Sequence, residues 1–349
     1  MSEAGGPHTA GQTPAPRGAG DGGGPVTAIV HAGGPHVLPL LERVEQQLRD
    51  VAGGHGPVLA GHAGSTIAAG GKRLRPLLVI LAAGGPVEPA DGLVRAAVAV
   101  ELVHSATLVH DDVLDLAPLR RGIPTVFATA GRQAATQTGD LLFARAFALL
   151  AANGDAEQVR ALSYAGSALA RGELLQRADA FDATIALDRY LHRCELKTAR
   201  LFEAACTLGA LEAGRRGGAD HPAEALREFG RSIGLAFQIL DDVLDVEGPA
   251  ERTGKHRGTD LLDGTVTLPF ILARERDPGL AALDPREIRD PEQAAEVCDR
   301  IAATGALAAA RETALEHVAA AKAVVPAGLP ERERTALLLV ADGVVARYS

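Results

Sequence analysis

The stretch Leu226–Asp245, LREFGRSIGLAFQILDDVLD, decides how the rest of the chain is read. Leu226, Phe229, Ile233, Phe237, Leu240 and Leu244 recur at helical spacing and form one apolar stripe. The segment ends in an acidic turn, Asp241-Asp242-Val243-Leu244-Asp245, with Gln238 just before it. At about 100° per residue, Asp241 and Asp245 share a face on the flank of the stripe, so their carboxylates border a core. The same pentapeptide occurs once more, as Asp111-Asp112-Val113-Leu114-Asp115. A single copy reads equally well as a solvated helix face. Two identical copies inside apolar helices point to a paired site.

Helical spacing continues outward in both directions. Leu38, Leu41, Val44, Leu48 and Val51 begin it, and it runs to the C-terminus, with breaks at Gly84-Gly85-Pro86, Asn153-Gly154-Asp155, Gly214 and Asp277-Pro278-Gly279. No stretch alternates apolar and polar residues. The expected fold is all-α, a single large helical bundle, with unbroken helices over 186–213 and 260–275 and another starting at 134. Residues 1–36 hold ten Gly and five Pro. They read as a disordered tail that buries too little surface to offset its ordering entropy. Residues 37–349 then form one domain.

Composition excludes several classes. The net charge of −9 argues against binding nucleic acid by phosphate attraction. Trp is absent and aromatics are 3%, so base-stacking platforms are not expected. Cys194, Cys206 and Cys298 are widely spaced, which suits the reducing cytoplasm better than a disulfide framework. The longest apolar runs, such as Leu77–Ala83, fall far short of the roughly 18 residues of a membrane span, and no basic-then-apolar leader opens the chain.

Clustered carboxylates repel one another, and partial burial raises their pKa unless cations are present. Oxygen-only clusters suit Mg²⁺, which keeps waters and bridges to phosphate oxygens. EF-hand spacing and HExxH are both missing. Basic groups complement the acid. Lys72 and Arg75 stand at a helix start, where anions are favoured; Arg120 and Arg121 follow the first acidic turn; His104 shares the Asp111 face. Lys197-Thr198 and Lys255 are weaker polar punctuation. Together they describe one cleft with two anion sites, one bridged by metal and one held directly by cationic side chains.

The runs GGKRLRP (70–76), ELVHSATLVHDDVLDLAPLRRGIPT (101–125), TGDLLFARAF (138–147), GELLQ (172–176), KTARLFEAAC (197–206), FQILDDVLD (237–245) and GKHRGTDLLDGTVTLP (254–269) strongly resemble the trans-type polyprenyl diphosphate synthases. The resemblance spans residues 36–349. It implies an isoprenoid-synthase bundle with a deep central cavity, a homodimer, and head-to-tail condensation of isopentenyl diphosphate with an allylic diphosphate. It implies that Asp111, Asp115 and Asp241 bind Mg²⁺, about three ions per site, helped by Asp112, Asp242 and Asp245. Arg120, Lys197, Thr198, Gln238 and Lys255 would hold the allylic diphosphate. Lys72, Arg75, His104 and Arg121 would hold isopentenyl diphosphate. One position departs: Thr265 stands where the family commonly has a second Lys.

Ala106 and Thr107, one turn before Asp111, are small, whereas relatives making short products commonly carry an aromatic there. An open tunnel and a product beyond C15 are therefore expected, with geranylgeranyl diphosphate as one specific alternative. Phe143, Phe147 and Tyr164 are candidates for closing the tunnel, although ordinary core packing explains them better. The rival readings are a terpene cyclase, whose second metal motif usually mixes Asn/Asp, Ser/Thr and Glu, and a non-catalytic partner subunit, which is expected to lose an acidic motif.

Overall fold

Stretches of helix caps and apolar stripes account for nearly all of the structure. It is a computed structural model and describes residues 25–54, 56–68, 71–86, 88–120, 122–215, 222–248 and 257–346. The helices are α1 (Pro25–Gly33), α2 (Val37–Gly53), α3 (Pro57–Ala68), α4 (Leu74–Ala82), α5 (Asp91–Leu114), α6 (Val126–Ala151), α7 (Ala156–Ala178), α8 (Leu187–Cys194), α9 (Arg200–Gly214) and α10 (Ala223–Glu247). They continue with α11 (Thr259–Leu262), α12 (Leu268–Arg276), α13 (Pro278–Ala281), α14 (Pro291–Ala303), α15 (Ala306–Val324) and α16 (Glu331–Ala346). A π turn, Glu195–Ala199, joins α8 to α9. The strands among the described residues are β1 (Leu119–Arg120) and β2 (Ile123–Pro124), an antiparallel pair with Leu119 opposite Pro124.

Helix starts follow from local chemistry. Thr125 caps α6 by accepting from the Ala128 N–H at 3.0 Å, and Asp155 caps α7 by accepting from the Glu157 N–H at 2.9 Å. The Thr125 cap starts α6 earlier than expected, and Gly131 kinks it. The expected helix over 260–275 is split after Leu262. Gly264 there has φ 73°, and its carbonyl accepts the Phe181 N–H at 2.8 Å.

The disordered tail expected over 1–36 is corrected at its end. Pro25–Gly33 is helical and packs on α16, and Ile29 is buried. Averaging over a Gly-rich start hid Val26, Ile29 and Val30, which share one helical face. Residues 1–24 lie outside the described residues.

At the centre, α5 packs on α2, α4, α6 and α9, and α10 packs on α9 and α15. Fifteen of the residues of α5 are buried, from Leu93 to Val113. This helix is also long and apolar enough to cross a membrane, with a window of mean hydropathy 1.5, which a count of unbroken runs overlooked. Since 72% of that window is buried inside the protein, core packing accounts for its composition. Both acidic turns thus hang from the C-terminal ends of the two helices that organise the core.

Candidate active site

The first acidic turn closes α5. Asp111 is half-buried, and its carboxyl is pushed up to about 6, first by burial; Glu173 and Asp115 add to the shift while Lys197 and Arg120 oppose it. Asp112 is buried and accepts from Arg120 Nε at 2.7 Å. Asp115 is exposed, with Arg177 Nη2 at 3.9 Å. The helix stops there because Leu116 takes a left-handed φ of 51° and the chain turns into the β1–β2 hairpin, which returns Arg120 to Asp112.

The second turn lies inside α10. Asp242 is buried, and its carboxyl is pushed up to about 7, first by burial and then by Asp260. It accepts from the Tyr190 hydroxyl and from Gln238 Nε2, each at 2.7 Å. Asp241 is half-buried on the neighbouring face. Asp245 accepts the Asp260 N–H at 3.2 Å, which ties the start of α11 to the acidic turn.

Between the two turns stands the π turn. Lys197 Nζ lies 2.7 Å from Glu173 and donates to Gln176 Oε1 at 3.1 Å. Burial works against its charge, but Asp111 and Glu173 outweigh it and its pKa is raised. Thr198 donates to Gln238 Oε1 at 2.5 Å. Two adjacent residues therefore face opposite ways. Lys197 faces α7 and the first acidic turn, and Thr198 faces α10 and the second. Glycines allow this. A Cβ on Gly172 would stand 2.7 Å from the Lys197 nitrogen, and one on Gly234 would stand 2.5 Å from the Ala199 Cα.

The structure thus brings together Asp111, Asp112, Asp115, Arg120, Lys197, Thr198, Gln238 and Asp242. Lys72 is exposed just before α4, and Arg75 lies in its first turn with its guanidinium 4.4 Å from the Phe202 ring centroid. Arg73, between them, is committed elsewhere, ion-paired with Glu45 and Glu101. His104 is half-buried on α5. Arg121 and Lys255 lie outside the described residues. Ala106 is fully buried, while Thr107 is half-buried and donates to the His104 carbonyl at 2.8 Å. Phe143 stacks on His110, level with the acidic turn, and Tyr164 is 54% exposed beneath the Arg200 guanidinium.

Sequence reasoning assigned no role to Glu173, Gln176, Arg177 and Tyr190. Glu173 and Gln176 share a helix face within GELLQ, a signal that was present but unassigned. Tyr190 had none.

Among the described residues no three acidic, His or Cys side chains already converge on one point. Asp111 and Asp115, one turn apart at the end of α5, fit ions shared with a ligand's oxygens better than a closed protein cage.

Comparison with known proteins identifies the family. The chain matches the polyprenyl synthetase family over residues 57–303. It is 41% identical over 304 residues to heptaprenyl diphosphate synthase component 2 of Geobacillus stearothermophilus, covering 85% of this chain and 92% of that one. Among solved structures it resembles a polyprenyl synthase from Caulobacter crescentus, in complex with calcium and isoprenyl diphosphate, with TM-score 0.84 and 35% identity over 96% of this chain and 100% of that one. A heptaprenyl diphosphate synthase from Staphylococcus aureus matches with TM-score 0.83 and 30% identity, over 90% and 99% of the two chains. The chain belongs to the polyprenyl synthetase family.

Proposed function

We propose that the chain lengthens an allylic diphosphate by condensation with isopentenyl diphosphate, giving a linear all-trans polyprenyl diphosphate longer than C15. The observation that carries this reading is the π turn, which sets Lys197 against one acidic turn and Thr198 against the other. Family membership, and a relative solved with calcium and isoprenyl diphosphate, support a diphosphate held through divalent ions.

Asp111, Asp115 and Asp241 would hold Mg²⁺, with Asp112, Asp242 and Asp245 fixing the turns. Bound there, the ions would supply neutralisation of the charge on a departing diphosphate. Lys197, Thr198, Gln238, Arg120 and Lys255 would orient the allylic diphosphate. Lys72, Arg75, His104 and Arg121 would bind isopentenyl diphosphate, placing its π-bond beside the allylic cation. The released diphosphate accepts the proton that the new cation loses. Water must be kept from the reacting carbons, since it would quench the cation to an alcohol. The enzyme would act as a homodimer in the cytoplasm, where its three buried free thiols stay reduced.

Thr107 would border the growing chain. The assay is incubation of the purified chain with Mg²⁺, isopentenyl diphosphate and each allylic primer, with product length read by chromatography. Linear products beyond C15 are expected. Thr107→Phe places a ring about 5–6 Å from the acidic turn and should shift products towards C15 or C20. A cyclic hydrocarbon product would contradict the reading. An unchanged long product from active Thr107→Phe would remove Thr107 from the tunnel.

A second reading follows from the Geobacillus relative, which is called one component of its enzyme. On that reading this chain is the catalytic component of a two-part synthase. It is favoured if the purified chain is inactive until a second subunit is added.

A further inference from the structure

The turn Glu195–Ala199 closes through a backbone hydrogen bond between residues five apart, from the Arg200 N–H to the Glu195 carbonyl. The same two residues are joined again through their side chains, with Arg200 Nη2 at 2.6 Å from Glu195 Oε1. On a regular α-helix, residues five apart point about 140° away from each other. The ion pair therefore needs a turn widened by one residue, the geometry of a π turn.

The pair is also a junction. Arg200 Nη1 lies 2.7 Å from Glu203 on α9, and its guanidinium carbon sits 5.3 Å from the Tyr164 ring centroid on α7. Arg231 of α10 approaches Glu195 to 3.8 Å. Both members of the pair are about four-fifths buried, at 20% and 19% exposure. Little solvent screens them, so the contact is stronger than a surface pair. The outer side of the turn is thus bound to α7, α9 and α10.

We propose that the Glu195–Arg200 pair is a positioning clamp that holds the widened turn and so aims Lys197 at α7 and Thr198 at α10. If the turn relaxed to a regular helix, the segments on either side would rotate relative to each other by about 100°, the angle of one residue. Lys197 and Thr198 could not then keep both their partners. The clamp rests on the proposed role of these two residues in holding the allylic diphosphate. Neither clamp residue is among those proposed to hold that ligand.

The test is steady-state kinetics of the full chain with both substrates varied, for Glu195→Gln, Arg200→Gln, the double variant and Lys197→Ala. The exposed pair Arg334–Glu331, whose residues both lie on α16, supplies the control Glu331→Gln. Each clamp variant should raise the KM for the allylic primer about tenfold and leave the KM for isopentenyl diphosphate within about twofold, and the double variant should be little worse than either single one. Glu331→Gln should leave both constants unchanged. Arg200→Lys, which keeps the charge, should recover part of the loss and serves if Arg200→Gln does not fold. If Lys197→Ala raises the primer KM while the clamp variants do not, the clamp is overturned and the site reading stands. Equal rises in both KM values overturn it as well, since general loosening would produce that. If Lys197→Ala itself leaves the primer KM unchanged, the site reading fails and the clamp fails with it.

Discussion

The two copies of Asp-Asp-Val-Leu-Asp have the same sequence but different surroundings. The middle carboxylate is buried in both, Asp112 in one and Asp242 in the other. Asp112 is met by a cation, Arg120 at 2.7 Å, while Asp242 is met by a phenol and an amide. The first copy ends its helix and leaves Asp115 exposed. The second lies inside a helix that runs on to Glu247 and ties Asp245 to the next element. An acidic motif therefore fixes the spacing of its carboxylates, and its surroundings decide which one is held rigid and by what.

The largest expected effect on stability comes from separating the cation from the first copy. Arg120→Gln leaves Asp112 buried without its charged partner. A fully buried pair loses about 3–5 kcal/mol in this way; Arg120 is 25% exposed, so a smaller loss, about 2 kcal/mol, is expected from denaturant unfolding. A variant as stable as wild type would show that solvent already satisfies Asp112.

Removing a charge from the first copy should act in the opposite direction. The Asp111 carboxyl is raised to about 6, chiefly by burial. Its folded pKa lies above the unfolded value, so between about pH 4 and pH 6 the native chain keeps a proton that the unfolded chain has lost, and stability falls as pH rises through that window. In EDTA at pH 7, Asp111→Asn should therefore be more stable than wild type by about 1–2 kcal/mol, and the gain should vanish near pH 4. Thermal unfolding across this range checks it; a destabilised variant at pH 7 would reverse the sign and refute it.

The smallest effect belongs to the second copy. Tyr190→Phe removes one hydroxyl from Asp242 and leaves Gln238 in place, at a cost of about 1 kcal/mol. If this loss equals that of Arg120→Gln, the contrast between the two copies disappears.

Much of this was legible in the sequence. Apolar periodicity located the core helices, because burial imposes it on any helix that packs along one face. The repeated acidic turn, Lys197, Thr198 and Gln238 were found from spacing and resemblance. The widened turn was not legible, since Glu195–Ala199 has ordinary helix-forming composition, and Gly172 and Gly234, which admit it, lie far away in sequence. Tyr190 was missed for a similar reason: its tie to Asp242 joins residues 52 positions apart. The Arg120–Asp112 pair depended on a two-residue hairpin too short to leave an alternating pattern.

The central claim is that both acidic turns act on one diphosphate through Mg²⁺. It is tested most directly by calorimetric binding of a non-ionising allylic thiodiphosphate to wild type, Asp111→Asn and Asp241→Asn, with Mg²⁺ and with EDTA. Wild type should bind only with Mg²⁺, and each variant should lose about 2 kcal/mol or more of that binding. Undiminished binding by wild type in EDTA, or by either variant in Mg²⁺, would contradict a shared metal-bridged site.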